Sequence, residues 1–346
     1  MQSGAETVVL TGCGWVTPFA AGTIDEVLAA AGRGRAPAAS EDVYWAVPDE
    51  MIADYPDLSA ELKREKGGWI TAAALIHARA DASLREEDVD ADRVGMVLGC
   101  ALAGQLGMID FATEVREQTA RFVSPIHFPQ TVGNYLAGAL ARSYGIRGPN
   151  ATIACGAASG LDAIVEACGI VANGKANVVF AGGADTLSKE LAGGLAEPGV
   201  RLSEGACLFV LESAAHAASR DAKALASIIR HSHDHQRSDD TTAGQEGALL
   251  ISGTSCRQPG AIVIEHWVGR CPGALGAACM AAAVGAVRGS VVPVRDRADQ
   301  DAVLAAQIPL DELRTDDGTV LAVVFADNDQ THRTSVELAI FSGGQS

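Results

Sequence analysis

The residues best placed for covalent chemistry gather at one bend. Cys155 stands between an apolar, β-branched run, Ala151-Thr152-Ile153-Ala154, and a helical period that opens at Ser159 and runs to Asn173. A thiol where a strand breaks into a helix meets free N–H groups and the positive end of the helix dipole, which favour its thiolate. Ser159 offers a second nucleophile there, and acyl transfer is the chemistry either would support. No base can be assigned to them from sequence, so a buried structural thiol is the competing reading of Cys155. His231, His233 and His235 alternate as a metal cluster might require, but their stretch is polar and Asp-bearing and reads as a solvated surface turn. His127 and His266 are single histidines beside apolar segments, the pattern of satisfied core or interface residues. Gly182-Gly183 is followed by no Gly-Lys-Ser/Thr, so it is not a phosphate loop. No metal and no cofactor is expected.

The elements that hold this bend are α/β in pattern. The helix from Ser159 carries Gly, Ala, Cys or aliphatic residues on nearly every face, and a helix apolar all round is buried. Its small residues allow close backbone approach, so it is expected between two sheets, closed by Gly174. Ala151–Ala154 reads as a buried strand leading into it. Before it come a strand at Thr7–Gly12, a helix to about Ala31 with Thr23 and Glu26 as its capping box, and an irregular stretch over 33–67. A helix over Trp69–Ala82, a strand at Val94–Gly99, and a loop opening into a helix over Gly104–Thr119 follow. After it come a strand at Ala176–Ala184 and a Glu-Gly-Ala turn running into a strand that ends near Glu212. Gly273–Ala286 is a second small-residue helix with a strand, Ser290–Val294, behind it. Between Ile229 and Leu249 the chain reads as polar and turn-like.

Composition narrows the function. The 346 residues carry 26 basic and 43 acidic side chains, a net charge of −17, which argues against nucleic acid or an anionic membrane as the main partner. No apolar run reaches membrane-spanning length. The opening Met-Gln-Ser-Gly-Ala-Glu lacks the basic flank and apolar stretch of a signal peptide. The eight cysteines sit singly, as reduced core residues of a cytoplasmic protein would.

Residues 143–164, Ser-Tyr-Gly-Ile-Arg-Gly-Pro-Asn-Ala-Thr-Ile-Ala-Cys-Gly-Ala-Ala-Ser-Gly-Leu-Asp-Ala-Ile, resemble the nucleophile region of β-ketoacyl synthases of the thiolase superfamily. The Ala-Gly-Gly-Ala strand end at 181–184 and the Glu-Gly-Ala turn at 204–206 match further landmarks of that family. The resemblance implies a thiolase-like α/β fold of two similar halves, 1–215 and a shortened 216–346, whose mixed sheets sandwich the central helices. It also shows what is missing. The family's Cys-Ala-Ser-Gly-x-Asp-Ala cysteine falls on Ala157. Its His-Gly-Thr-Gly-Thr histidine falls on Ser252, its second histidine on Gly273, and its lysine on Val268. The Gly-Phe-Gly-Gly gate is replaced by Val324-Phe325-Ala326-Asp327-Asn328. Decarboxylative condensation uses the cysteine as nucleophile and the other groups to stabilise developing charge, and losing one such stabilising donor costs roughly 3 kcal/mol. The chain is therefore not expected to catalyse condensation itself.

Ketosynthase-like chains that keep the scaffold and lose the cysteine resemble chain-length factors, the β-subunits of type II polyketide synthases. The resemblance implies pairing with a catalytic ketosynthase, a heterodimer whose acyl tunnel this chain would shape. Leu106, Met108, Ile109 and Phe111 are the expected tunnel floor, and His127, Phe128, Asn134 and Tyr135 the expected interface. Ala157 in place of the Gln common in aromatic systems fits polyene-type systems better. Acyl carrier protein, itself acidic, would dock on the partner. Two alternatives stay open: an acyltransferase of the same fold using Cys155 or Ser159, and a homodimeric scaffold without enzymatic activity.

Overall fold

The computed structural model of the chain describes residues 6–31, 44–119, 121–197, 200–234, 249–252, 262–264, 268–289, 292–295, 303–306, 319–328 and 332–341. The chain enters as strand β1 (Val8–Val16), apolar, β-branched and buried along its whole length, then β2 (Ala21–Gly22) and helix α1 (Ile24–Ala31). Glu26 reaches back to the Thr23 N–H at 2.8 Å, as the capping pattern predicts. The stretch read as irregular is partly structured. Beyond residues 32–43, which lie outside the described residues, it forms β3 (Tyr44–Trp45) and α2 (Ala60–Arg64). Helix α3 (Lys66–Asp81) and strand β4 (Val94–Gly99) follow.

Helices α4 (Gln105–Gln118) and α5 (Tyr135–Ser143) lead to β5 (Asn150–Ile153), then α6 (Ser159–Ala172) and β6 (Val178–Asp185). The turn after α6 closes on Gly174, at φ 65° with its N–H bonded to the Val171 carbonyl. Next come α7 (Lys189–Gly194), β7 (Leu202–Ser203), β8 (Gly205–Ser213), α8 (Ala214–Ser219) and β9 (Ala226–Asp234). The last described elements are β10 (Leu249–Ser252), β11 (Ile262–Val263), α9 (Leu275–Val287), β12 (Val292–Arg295), β13 (Val303–Ala306), β14 (Thr319–Asn328) and β15 (His332–Phe341).

Ten strands lie on one hydrogen-bonded path, β11-β10-β14-β15-β9-β1-β8-β6-β4-β5. The two expected sheets are thus arms of one ribbon. They join where Val9 and Leu10 of β1 pair with Ser227 and Ala226 of β9. Helix α6 packs on β4, β6 and β8 and reaches β15, while α9 packs on β10 and β14 and reaches β6 and β8. Each central helix therefore touches both arms, and every residue of α9 is buried. Two expectations need correcting. Residues 150–153 form the outermost strand of the path, half-buried rather than buried, because among the described residues only β4 pairs with them. Residues 231–234 are strand rather than turn, because β15 pairs with them: Val336 opposes His231 and Thr334 opposes His233. His235 lies outside the described residues.

One buried charge cluster ties the β1–β8 pair to the helices. Glu212, fully buried on β8, accepts hydrogen bonds from Thr11 of β1 and His216 of α8, and is gripped by the Arg220 guanidinium. Burial pulls the Glu212 pKa upward, but the bonds from Arg220, Thr11 and His216 outweigh it and hold it below the ordinary value. Arg220→Ala strands that carboxylate and is expected to cost about 3–5 kcal/mol, read as a lower urea midpoint at neutral pH. A depressed folded pKa gives stability that is present above the unfolded value and lost as pH falls through the folded one. The difference between wild type and variant should therefore shrink in acid.

Candidate functional site

The bend at 155–159 is built as the sequence requires, but its thiol is disarmed. Cys155 precedes a single 3-10 turn, Gly156–Ala158, that runs directly into α6. The Cys155 N–H donates to Ser159 Oγ at 2.9 Å, and the Ser159 hydroxyl donates to the Gly156 carbonyl at 2.6 Å. Cys155 Sγ lies 2.6 Å from Asp162 Oδ2, one helical turn along. Burial, followed by the Asp162 carboxylate, pushes the thiol pKa up to about 12. That is the reverse of what a nucleophile needs. Ser159 is fully buried, with its hydroxyl already donated.

Ala157, at the place of the family's cysteine, sits half-buried in the 3-10 turn, which packs against α9, β14 and β15. Ser252 ends β10 opposite Phe325 of β14, so the altered gate continues as strand to Asn328. Val268 is 5% exposed and belongs to the main core cluster, a place for an aliphatic side chain. His266 lies outside the described residues.

Gly273 is the decisive position. A Cβ there would lie 2.7 Å from Asp185 Oδ2, 2.9 Å from the Ala101 nitrogen and 3.0 Å from the Ala184 carbonyl oxygen, closer than side chains tolerate. Its carbonyl oxygen is in turn packed against Gly160 of α6 and Gly183 of β6, where a Cβ on either glycine would collide with it. Asp185, which sequence reading passed over, occupies this centre. Its carboxylate accepts the N–H of Ala101 at 3.1 Å, Leu102 at 3.0 Å and Gly273 at 2.6 Å. Burial drives its pKa up to about 7 although all three donors pull the other way. The place that the sequence resemblance assigns to the second histidine is thus filled by backbone and an internal carboxylate. The available hint was local: an acidic residue directly after the Gly-Gly-Ala strand end.

The tunnel and interface candidates separate. Leu106 and Tyr135 line a small cavity inside the chain. Met108 is 57% exposed, Ile109 is half-buried, and Phe111 meets Phe128 edge to face with ring centroids 5.8 Å apart. Phe128 is itself 57% exposed, Asn134 is exposed at the start of α5, and His127 Nδ1 contacts Glu114 Oε2 at 2.9 Å. That hydrogen bond holds Glu114 below the usual carboxylate range and ties the 121–127 loop to α4. Phe122, Ile126 and Val132, not anticipated, extend the same exposed apolar face. Their signal was present as bulky apolar residues inside a polar loop.

A family model matches part of this scaffold. Residues 69–208 match the β-ketoacyl synthase N-terminal domain. The 3-oxoacyl-[acyl-carrier-protein] synthase 2 of Vibrio cholerae is 31% identical over 223 residues, covering 54% of this chain and 53% of that protein. The Vibrio harveyi synthase of the same name is 33% identical over 183 residues, covering 45% and 43%. The chain spans about half the length of the curated relatives it matches. Among solved structures, the ishigamide ketosynthase/chain length factor superposes with TM-score 0.78 at 18% identity, covering 98% of this chain and all of that one. The AntDE:AntF complex, a type II polyketide synthase acyl-carrier protein with its hexaketide-bound ketosynthase, gives 0.77 at 18%, covering 97% and 100%. The fold is the thiolase-like fold of the ketosynthases.

Two outcomes follow from this geometry. Gly273→Ala is expected to destabilise by about 1–3 kcal/mol through overpacking, visible in the urea midpoint. Cys155 should resist iodoacetamide at pH 8 in the folded protein and react once urea unfolds it, as followed by intact mass.

Proposed function

We propose that this chain is a non-catalytic subunit of a ketosynthase pair, a chain-length-factor-like protein that walls the acyl tunnel of an active partner in type II polyketide or fatty-acid-like biosynthesis. The observation that carries the reading is Gly273: a ketosynthase-like scaffold in which a side chain at this place would run into Asp185 and the backbone of Ala101 and Ala184. Ala157, Ser252 and Val268 at the other reactive places agree with it. Support for a partner comes from the surface. Met108, Phe122, Ile126, Phe128 and Val132 leave one apolar face around α4 and the following loop uncovered. The unpaired edge of β5 offers backbone N–H and C=O groups to a second chain.

In this reading the partner supplies cysteine and histidines and receives the acyl carrier protein, since a subunit at −17 repels an acidic carrier. Phe111, braced by Phe128, stands on the partner side of the tunnel, and the chain divides near residue 215 into two related halves. The acyltransferase alternative is disfavoured by the raised thiol pKa of Cys155 and the committed hydroxyl of Ser159.

Co-expression with a ketosynthase that retains its cysteine and histidines, followed by size-exclusion chromatography, tests the pairing. The two chains are expected to co-elute, and Phe128→Asp is expected to separate them while leaving the circular dichroism of this chain unchanged. Separate elution of the wild-type chains sinks the reading. In an active pair, Phe111→Ala should lengthen and Phe111→Trp shorten the products seen by mass spectrometry.

A further inference from the structure

Among the described residues, three buried side-chain atoms lack a hydrogen-bond partner: Glu65 Oε2, Thr152 Oγ1 and Ser203 Oγ. Glu65 lines a cavity, the same one that Leu106 and Tyr135 line. Glu65 is the N-cap of the sixteen-residue helix α3, yet its side chain caps nothing. The carboxyl lies over Gly67 instead. A Cβ on Gly67 would sit 3.6 Å from Glu65 Oε1, 3.5 Å from Thr186 Oγ1 and 3.7 Å from Leu136 Cδ2, and all four residues belong to the cavity wall. The acid therefore turns away from the backbone N–H groups it could have satisfied and faces into the cavity.

The cavity has a volume of about 40 Å³. That is too small for an extended chain and large enough for one polar group with its nearest carbons, or for a water. Its walls hold Ile70, Leu102 and Leu106 beside Asp185, whose carboxylate is already bonded to three backbone N–H groups, and Val132 links it to the exposed apolar face. A molecule entering past Val132 reaches a wall that carries both hydrocarbon and the Glu65 carboxyl. Burial, reinforced by Asp110, raises the Glu65 pKa to about 7, so its proton-bearing form is populated at neutral pH. A protonated carboxyl has one O–H to donate and matches a neutral acceptor such as a carbonyl oxygen.

We propose that this cavity receives the keto-bearing tip of an acyl chain and that Glu65 is the specificity-determining residue that donates to its oxygen. The inference rests on the tunnel-wall reading for the identity of the ligand, and it adds a preference: an oxidised chain end over a hydrocarbon one. Leaving a buried donor unmet penalises a chain without an acceptor, and this is where the discrimination arises.

The test uses the intact chain with two probes of matched shape, 2-octanone and 2-methyl-1-octene, whose affinities are compared by NMR titration. The wild-type chain is expected to favour the ketone by about 10-fold, the worth of one hydrogen bond. Glu65→Gln, which keeps an N–H donor, should retain most of that preference, and Glu65→Leu should abolish it while still binding the alkene. Leu106→Trp, filling the cavity from the other wall, should remove binding of both probes with Glu65 intact. Equal affinity of the wild type for the two probes, or no binding of either because the cavity holds water only, overturns the proposal. So does an unchanged ketone preference in Glu65→Leu. Co-elution with a ketosynthase is scored separately. A ketone preference without co-elution sinks the pairing and leaves the cavity, whereas co-elution without the preference sinks the cavity alone.

Discussion

The structure depends on the approach of Gly273 to the ends of two strands and one helix. Its carbonyl oxygen lies against Gly160 and Gly183, and its N–H, with those of Ala101 and Leu102, converges on Asp185. Four separate stretches of chain are pinned at this point without a side chain longer than Asp185 between them. Burying a carboxylate costs energy that these N–H groups return in part, and the raised pKa of Asp185 records how incomplete the return is. The contact nevertheless positions α6 against α9, and from that helix pair both arms of the ribbon take their packing.

The same contact separates scaffold from chemistry. A condensing centre needs open volume lined by groups that meet developing charge. Here the volume is occupied by main chain, and the thiol at the bend, Cys155, is kept protonated by burial and Asp162. What remains exposed is shape: an apolar face around α4, a bare strand edge at β5, and a small cavity with a carboxyl at its end. These features are the ones a binding surface uses, which is why the functional reading leans on a second chain.

Much of this was legible in the residues. The small-residue helices at 159–172 and 275–287, the β-branched strands at 94–99 and 178–185, and the capping of α1 by Glu26 follow from local pattern alone. What escaped was decided by neighbours. Strand β9 ends in a continuous polar run from Arg230 to Asp234 and forms because β15 pairs along it. Strand β5 has the composition of a buried strand but lies at the end of the ladder, since only β4 flanks it. Asp185 and Glu65 look like ordinary surface acids in the sequence, and only three-dimensional closure reveals that one is clamped and the other unpaired.

The bare edge of β5 has a consequence for the cell as well as for the complex. Among the described residues nothing pairs with the outer edge of β5, and an unpaired ladder edge is a template for adding further strands, the contact through which surplus copies would associate. In the proposed pairing, dosage then becomes a matter of solubility: translating the covering subunit in step with this one would protect it from polymerising, whether or not any substrate is at hand.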